Sequence, residues 1–462
     1  MEKIDFNKVL KNIKPTKEEY GKVWSLLNRL IHIINDYAKE DNLEAEAVLV
    51  GSVAKDTWLH KKADIDIFIK FPLYTAEDDL KKIGLELGHK CIEANHGTFE
   101  YRYASHPYIT GFIEGYEIDF VPCYTIDSAE QLKSAVDRTI LHTEYIKGKL
   151  KEEQKNEVLL LKKFMEIIHT YGAEIKVGGF SGYLCELLII YYGSFMDVLE
   201  AASKKWNPKI IIDIENFKTS QQFSEPMVVI DPTDKNRNVA AALTLQKLSE
   251  FTIASRNFLN NPKKDYFFKK EFKIDLNTIK DSFLKRGTKT LLITFKTPYV
   301  PADSLYSQIK KTENSIKETL EREDFKLLDS ASWTDEKEKV IILLELEVWK
   351  LPSVKKHYGP PIWSQEHQKR FISKYGNKAY IEGDKWAVLI DRKYDNAESF
   401  IDDNLSGNKI GLLRFGKHIK DEILKEHKIT DILSYLKSSK CNEDELLFFF
   451  EYLNKDFYLS HS

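Results

Sequence analysis

The chain has 462 residues, of which 42% are hydrophobic and 31% charged, and its formal net charge is −3. That apolar content excludes a wholly disordered protein, and the length predicts about two to four domains. The near-balanced charge means that any nucleic-acid partner is met by local patches and not by a global basic field. No apolar run reaches the roughly 18 residues of a membrane span, and no apolar segment opens the chain as in a secretory signal. Cys91, Cys123, Cys185 and Cys441 are far apart, form no CxxC pair, and fit the reduced thiols of a cytosolic protein.

Thr16 followed by Glu19 predicts a capping box that opens a helix. Val23, Leu26, Leu27, Leu30, Ile31, Ile34 and Tyr37 recur at helical spacing through about Lys39. Val48–Val50 predicts a short buried strand that ends at Gly51-Ser52, and the alternation of Ile65, Ile67 and Ile69 predicts a second, closed by Phe71-Pro72. A helix over 76–92, a strand from Phe99, and a hairpin around Glu114-Gly115 complete a mixed α/β unit. From about 130 to 260 the pattern predicts helices. One carries Val158, Leu161, Phe164, Met165 and Ile168, a strongly apolar one runs over Leu184–Phe195, and a third covers 239–259. Asn261-Pro262 with Lys263-Lys264 has the character of a linker. The last 200 or so residues predict a β-α-β-β order (291–296, 302–321, 325–333, 340–349), a hairpin at 379–394, and helices at 417–426 and 443–455.

The chemistry-bearing stretch is Val50-Gly-Ser-Val-Ala-Lys-Asp-Thr-Trp-Leu59, followed by Asp64-Ile-Asp66 on the second strand. A helix start after Gly51 favours an anion, and the hydroxyl of Ser52 can donate to a phosphate oxygen. Asp64 and Asp66 are two apart on a strand and so share a face. Two adjacent carboxylates repel unless a hard cation such as Mg²⁺ sits between them. Asp119, between Ile118 and Phe120 on a later strand, supplies a third acid. Three carboxylates could hold two ions about 3.5–4 Å apart, the arrangement of nucleotidyl transfer. An isolated DxD is more often a solvated strand edge; the ordered set is the specific signal.

Several other side chains read two ways from the residues alone. Lys162 fits a solvated helix lysine, Tyr171 a half-buried tyrosine, His142 a structural histidine, and Arg237 a cap or ion pair. Asp137-Arg138 reads as an interdomain ion pair. Two windows run basic: 261–287 has eight Lys/Arg against four Asp/Glu, and 349–375 has six against one, interleaved with Trp349, Tyr358, Trp363, Phe371 and Tyr375. Each fits either a solvated face or a grip on RNA. Tyr266-Phe267-Phe268 reads as core.

GSVAKDTWLHKKADIDIFIKFP, EIDFVPCY, SAVDRTILH, GFSGYLCELL and DPTDKNRNVAAAL together resemble the archaeal (class I) CCA-adding enzymes, tRNA nucleotidyltransferases of the polymerase-β-like superfamily. The resemblance is dense over 40–260 and continues through His357-Tyr-Gly-Pro-Pro361 and Arg414-Phe-Gly-Lys417. It implies that Asp64, Asp66 and Asp119 are catalytic and bind Mg²⁺. It implies that Ser52, Lys55, His142, Lys162, Tyr171 and Arg237 bind CTP or ATP: Ser52, Lys162 and Tyr171 at the triphosphate, Arg237 at the base edge. Lys55 stands where relatives commonly carry Arg, and a lysine cannot form the bidentate phosphate fork.

The implied architecture is multidomain α/β plus α. A polymerase-β-like nucleotidyltransferase head spans 1–130 and a helical neck 131–262. A mixed α+β body over 263–462 carries an inserted ferredoxin-like tail at about 289–350. The implied reaction adds C, C and A stepwise to the tRNA 3′ end from CTP and ATP, with release of pyrophosphate and no nucleic-acid template. The implied contacts are the acceptor stem, the 3′ end and the TΨC arm, with no membrane, a cytoplasmic setting, and apolar C-terminal surface suited to a homodimer. The alternative is a poly(A) polymerase-like RNA nucleotidyltransferase. A small-molecule nucleotidyltransferase would not need so large a C-terminal region, and a non-catalytic relative would normally lack one of the three acids.

Overall fold

The computed structural model describes residues 4–102, 107–269, 273–406, 413–438 and 441–455. The chain divides into two compact units at residues 271/272. No single helix among the described residues is long and apolar enough to cross a membrane.

In the first unit, α1 (Phe6–Ile13) and α2 (Lys17–Glu40) precede β1 (Glu46–Val50), the single-turn α3 (Gly51–Ala54), β2 (Ile65–Phe71), α4 (Glu77–Ala94), β3 (Thr98–Arg102), β4 (Tyr108–Ile113) and β5 (Tyr116–Tyr124). The Thr16–Glu19 capping box forms as the sequence predicts, and α2 buries Val23, Leu26, Leu27, Leu30, Ile34 and Ala38. The five strands pair in the order β1-β2-β5-β4-β3. Only β2 and β5 run parallel, which sets Asp66 directly beside Asp119. Strand alternation sends Ile67 and Ile69 into one core with α2 and α4. Phe68 points to the other face, where it packs with Val50, Val121, Cys123 and Ile140. Asp64 and Asp66 share that second face by the same period.

The chain continues through α5 (Arg138–Lys149), α6 (Glu152–Ile167), α7 (Gly182–Tyr192), α8 (Phe195–Lys204), β6 (Ile210–Ile212), β7 (Met227–Asp231), β8 (Asp234–Asn238) and α9 (Leu245–Asn260). A second core gathers Phe164, Phe180, Phe195, Phe251 and Phe258 with Tyr266 and Phe267. The segment after Asn261-Pro262 therefore stays packed in this unit, and Tyr266 and Phe267 are core, as expected.

Two expectations for this stretch are corrected. The apolar run over Leu184–Phe195 is two helices, because Gly193 takes a φ of +106° that ends α7. The third helix begins at Leu245 and not at 239, because Thr244 caps it; ahead of it lies the small sheet β6-β7-β8.

In the second unit, α10 (Leu276–Lys285), which is not among the elements predicted from the sequence, is followed by β9 (Lys289–Lys296), α11 (Ala302–Arg322), β10 (Lys326–Thr334) and β11 (Lys339–Val348), the β-α-β-β order the sequence predicts. They are followed by β12 (Val354–Pro361), α12 (Gln365–Tyr375), β13 (Tyr380–Glu382), β14 (Lys385–Asp391), α13 (Ala397–Ser406), α14 (Lys417–Lys425), β15 (His427–Asp431), α15 (Ile432–Ser438) and α16 (Glu443–Leu453). The sheets are β10-β11-β9-β15 and β12-β14-β13. In the basic, aromatic window of this unit, Tyr358 and Trp363 are exposed and Phe371 is buried against the sheet.

Candidate active site

Three groups of side chains meet in the first unit. The first is acidic. Asp66 and Asp119 are neighbours across the parallel β2–β5 pair, and Asp64 precedes β2 on the same face. Asp119 Oδ1 accepts from Thr110 Oγ1 at 2.6 Å. Burial, then Asp119 and Asp64, push the Asp66 carboxyl up to about 7 against the opposing pull of Lys55. Asp119 and the exposed Asp64 are also raised, in each case chiefly by loss of solvent around the carboxylate. Groups that resist ionising together are ready to receive a cation. Among the described residues, no group of three or more His, Cys, Asp or Glu side chains stands ready-made as a metal site. An open, all-oxygen set of this kind suits a hard divalent ion that keeps water and substrate phosphate among its ligands.

The turn above these carboxylates is Gly51-Ser52. Gly51 has a φ of +74°, which glycine adopts without steric cost. Its N–H points to Thr143 Oγ1 at 3.4 Å, which ties the turn to α5. Beside Asp64 opens a cleft of about 850 Å³ that Thr16, Lys22, His60, Lys62 and Tyr116 help to line.

The second group is a buried charge cluster. Lys55 Nζ lies 2.6 Å from Glu186 Oε2, and Thr57 Oγ1 donates to Glu186 Oε1 at 2.5 Å. Lys162 Nζ donates to the Thr57 carbonyl at 2.8 Å and stands 3.5 Å from Glu186. Burial alone would raise Glu186, but Lys55 and Lys162 hold it below the usual carboxylate range. Burial pushes Lys162 down, with Glu186 opposing. Tyr171, raised by burial, lies beside Lys162: a β-carbon on Gly182 would be 3.1 Å from the Tyr171 hydroxyl and 3.4 Å from Lys162 Nζ. Lys162 is thus no solvated helix lysine, since it is 2% exposed.

The third group centres on Asp231. His142 Nε2 and Arg237 Nη1 meet its Oδ2 at 2.8 and 2.9 Å. The Tyr183 hydroxyl and Thr233 donate to its Oδ1. The His142 ring stacks on Tyr183 with centroids 4.0 Å apart. Burial lowers His142 despite the pull of Asp231, while Asp231, which burial would raise, is held far below the carboxylate range by His142 and its other partners.

Arg237 stands on β8, and the ion pair that its residue type allowed forms with Asp231. Asp137 and Arg138 do not pair with each other. Asp137 accepts the backbone N–H groups of Tyr124 and Ser134, and Arg138 pairs with Asp234 at 3.0 Å.

Helix α7 joins the second and third groups, because Tyr183 and Glu186 are one turn apart. Lys55 Nζ sits 5.8 Å from the Tyr183 ring centroid. Sequence reading did not single out Thr57, Tyr183, Glu186 or Asp231. A signal existed for Glu186, the one acid in the apolar run of α7, since a carboxylate there needs a buried counter-charge.

A carboxylate trio under a Gly-Ser turn, faced by buried lysines, defines a nucleotidyltransferase. The nucleotidyltransferase domain family matches residues 31–142, the family described as tRNA nucleotidyltransferase, second domain, matches 156–268, and the CCA-adding enzyme, C-terminal domain, matches 286–431. The chain is 51% identical to the CCA-adding enzyme of Methanothermobacter thermautotrophicus over 419 residues, 91% of each chain. It is 39% identical to that of Methanosarcina mazei, over 87% of this chain and 89% of the relative. The chain belongs to the CCA-adding enzyme family and is a CCA-adding nucleotidyltransferase. Among solved structures, one of Cid1, described for its RNA terminal uridylyl transferase activity, is 16% identical with a TM-score of 0.46, covering 58% of this chain and 98% of that one.

Proposed function

We propose that the first unit carries the whole chemistry of CCA addition, with Asp64, Asp66 and Asp119 as the Mg²⁺ ligands. The observation that carries this reading is the parallel pairing of Asp66 with Asp119, which gathers mutually repelling carboxylates on one sheet face. When bound, Mg²⁺ would neutralise triphosphate charge and acidify the attacking hydroxyl. Ser52 donates to the triphosphate. Lys162 and Tyr171 line the phosphate side, and Lys55, held by Glu186, adds positive charge there. Arg237 faces the base, and His142 stands beside it because both are held on the same oxygen of Asp231. The 3′ hydroxyl of tRNA attacks the α-phosphorus of CTP or ATP, pyrophosphate leaves, and Asp119, as a ligand of the ion that acidifies the hydroxyl, aids the loss of its proton.

In this reading residues 1–130 act as the head, 131–262 as the neck that completes the nucleotide pocket, and 263–462 as the tRNA-binding body with its inserted tail. Tyr358 and Trp363, exposed in the basic window, support contact with the acceptor stem or TΨC arm by shape and backbone. A cytoplasmic setting and a homodimer through the C-terminal half belong to the same reading.

The test is end addition on tRNA lacking its 3′ end. CTP alone should give a bounded CC product, both nucleotides a bounded CCA product, and ATP alone no extension. A growing A tail would overturn the reading.

A further inference from the structure

We infer that Asp231 is a positioning residue for base selection, one buried carboxylate that turns His142 and Arg237 into an acceptor–donor pair. The inference deepens the proposed site and rests on the reading of His142 and Arg237 as base-facing groups.

Asp231 lies at the end of β7 and is wholly buried. Its five contacts are all to donors: His142, Arg237 and Tyr183 side chains, and both the N–H and hydroxyl of Thr233. No acceptor capacity is left for a substrate, so Asp231 acts through the groups it holds. An ionised carboxylate only accepts, so His142 must carry its proton on Nε2. In the neutral ring Nδ1 then has a lone pair and no proton. The stack on Tyr183 fixes the plane of that ring, and Tyr183 is itself tied to the same carboxylate. Arg237, held at one nitrogen by Oδ2, keeps its remaining N–H groups as donors.

The consequence is a pattern that matches two bases and opposes two. Cytosine and adenine both present an exocyclic amino donor, and uracil and guanine present a carbonyl at the equivalent place. Beside the amino group, cytosine N3 and adenine N1 are acceptors, whereas the same ring position in uracil and guanine carries a proton. An acceptor at His142 and donors at Arg237 complement the first pair of bases and clash with the second. One carboxylate thereby contributes to admitting both CTP and ATP and refusing UTP and GTP.

Nitrogen NMR of the ring-labelled full-length wild-type protein, with His142 assigned by comparison with His142→Gln, tests the premise without perturbing the fold. The expected result is a neutral Nε2–H tautomer above pH 7; the Nδ1–H tautomer would overturn the inference. Asp231→Asn puts a donor or a weaker acceptor where Oδ2 stood. The kcat/KM preference for CTP over UTP should fall by about tenfold or more, the size of one charge-assisted hydrogen bond. The loss should appear mainly in nucleotide KM, with tRNA affinity kept and Asp231→Glu restoring part of the preference. Loss of stability with unchanged preference would make Asp231 purely structural and overturn the inference. If Arg237→Ala raises nucleotide KM but Asp231→Asn leaves the preference intact, only the inference fails. If Arg237→Ala leaves nucleotide KM unchanged, the base-facing reading fails and takes the inference with it.

Discussion

A β-carbon on Gly51 would lie 2.4 Å from Oδ2 of Asp66, so the turn that ends β1 rests directly on the central carboxylate of the site. The close approach and the positive φ both require glycine here. Gly51→Ala is therefore expected to fail twice: backbone strain of about 1–2 kcal/mol, and displacement of Asp66. Nucleotide incorporation should fall at least about a hundredfold, because a carboxylate moved by roughly 1 Å no longer meets its partners. Thermal unfolding should show only a modest loss. Near-normal incorporation by Gly51→Ala would mean that Asp66 has freedom the structure does not give it.

Much of this part of the fold was legible in the sequence because each piece obeyed a local rule. Thr16 and Glu19 formed their box, and Ile65, Ile67 and Ile69 alternated as a strand. The small sheet β6-β7-β8 was not legible. Its strands have three to five residues, and β8 reads Asp-Lys-Asn-Arg-Asn, with no apolar alternation. The site was half legible for a related reason. Groups that face a substrate are named by their own residue type, whereas Asp231 and Glu186, though inside the resembling strings, matter through partners far away in the chain. Glu186 meets Lys55 across 131 positions and Asp231 meets His142 across 89, distances that no spacing rule reaches.

Asp66 also makes the stability of the metal-free protein depend on pH. Its folded pKa, about 7, stands above the ordinary value of 3.8, so between those limits the folded state binds the extra proton. A raised carboxyl stabilises the fold at low pH and loses that contribution as pH rises through about 4 to 7. Asp64 and Asp119 shift the same way. With chelator present, stability should decline over this window by a few kcal/mol at most, since all three groups retain some solvent. Added Mg²⁺ should reverse the decline at pH 7. In Asp66→Asn the slope should flatten and incorporation should vanish, with tRNA affinity kept. Thermal melts against pH, with and without the cation, measure this. A wild-type stability that rose over the same window would contradict the assignment.

Glu186 neutralises two lysines at once, from a position wholly out of solvent. Glu186→Gln leaves Lys55 and Lys162 facing each other with a neutral amide between them. Breaking a buried pair on one side costs about 3–5 kcal/mol. A triphosphate would return the missing negative charge, so CTP should raise the melting temperature of Glu186→Gln more than that of the wild type. Equal shifts in the two proteins would show that the lysine cluster does not feel the phosphates.

Gly182 separates stability from function. It is the first residue of α7, capped by Ser181, and alanine there is the better helix former by about 1 kcal/mol. Yet the new methyl would press on the Tyr171 hydroxyl at 3.1 Å and stand at contact distance, 3.4 Å, from the Lys162 ammonium. Lys162 has no slack to retreat, because the Thr57 carbonyl already fixes its ammonium at 2.8 Å. Gly182→Ala is expected to keep or raise the melting temperature while nucleotide KM rises by several-fold to about tenfold, the effect of one displaced phosphate contact. The KM for tRNA should stay put, because the side chains a methyl on Gly182 meets are Tyr171 and Lys162, both assigned to the nucleotide. Parallel melts and steady-state kinetics on the two substrates decide it. A destabilised variant with normal nucleotide KM would place the glycine in the architecture of α7 alone and remove Tyr171 and Lys162 from the phosphate side of the pocket.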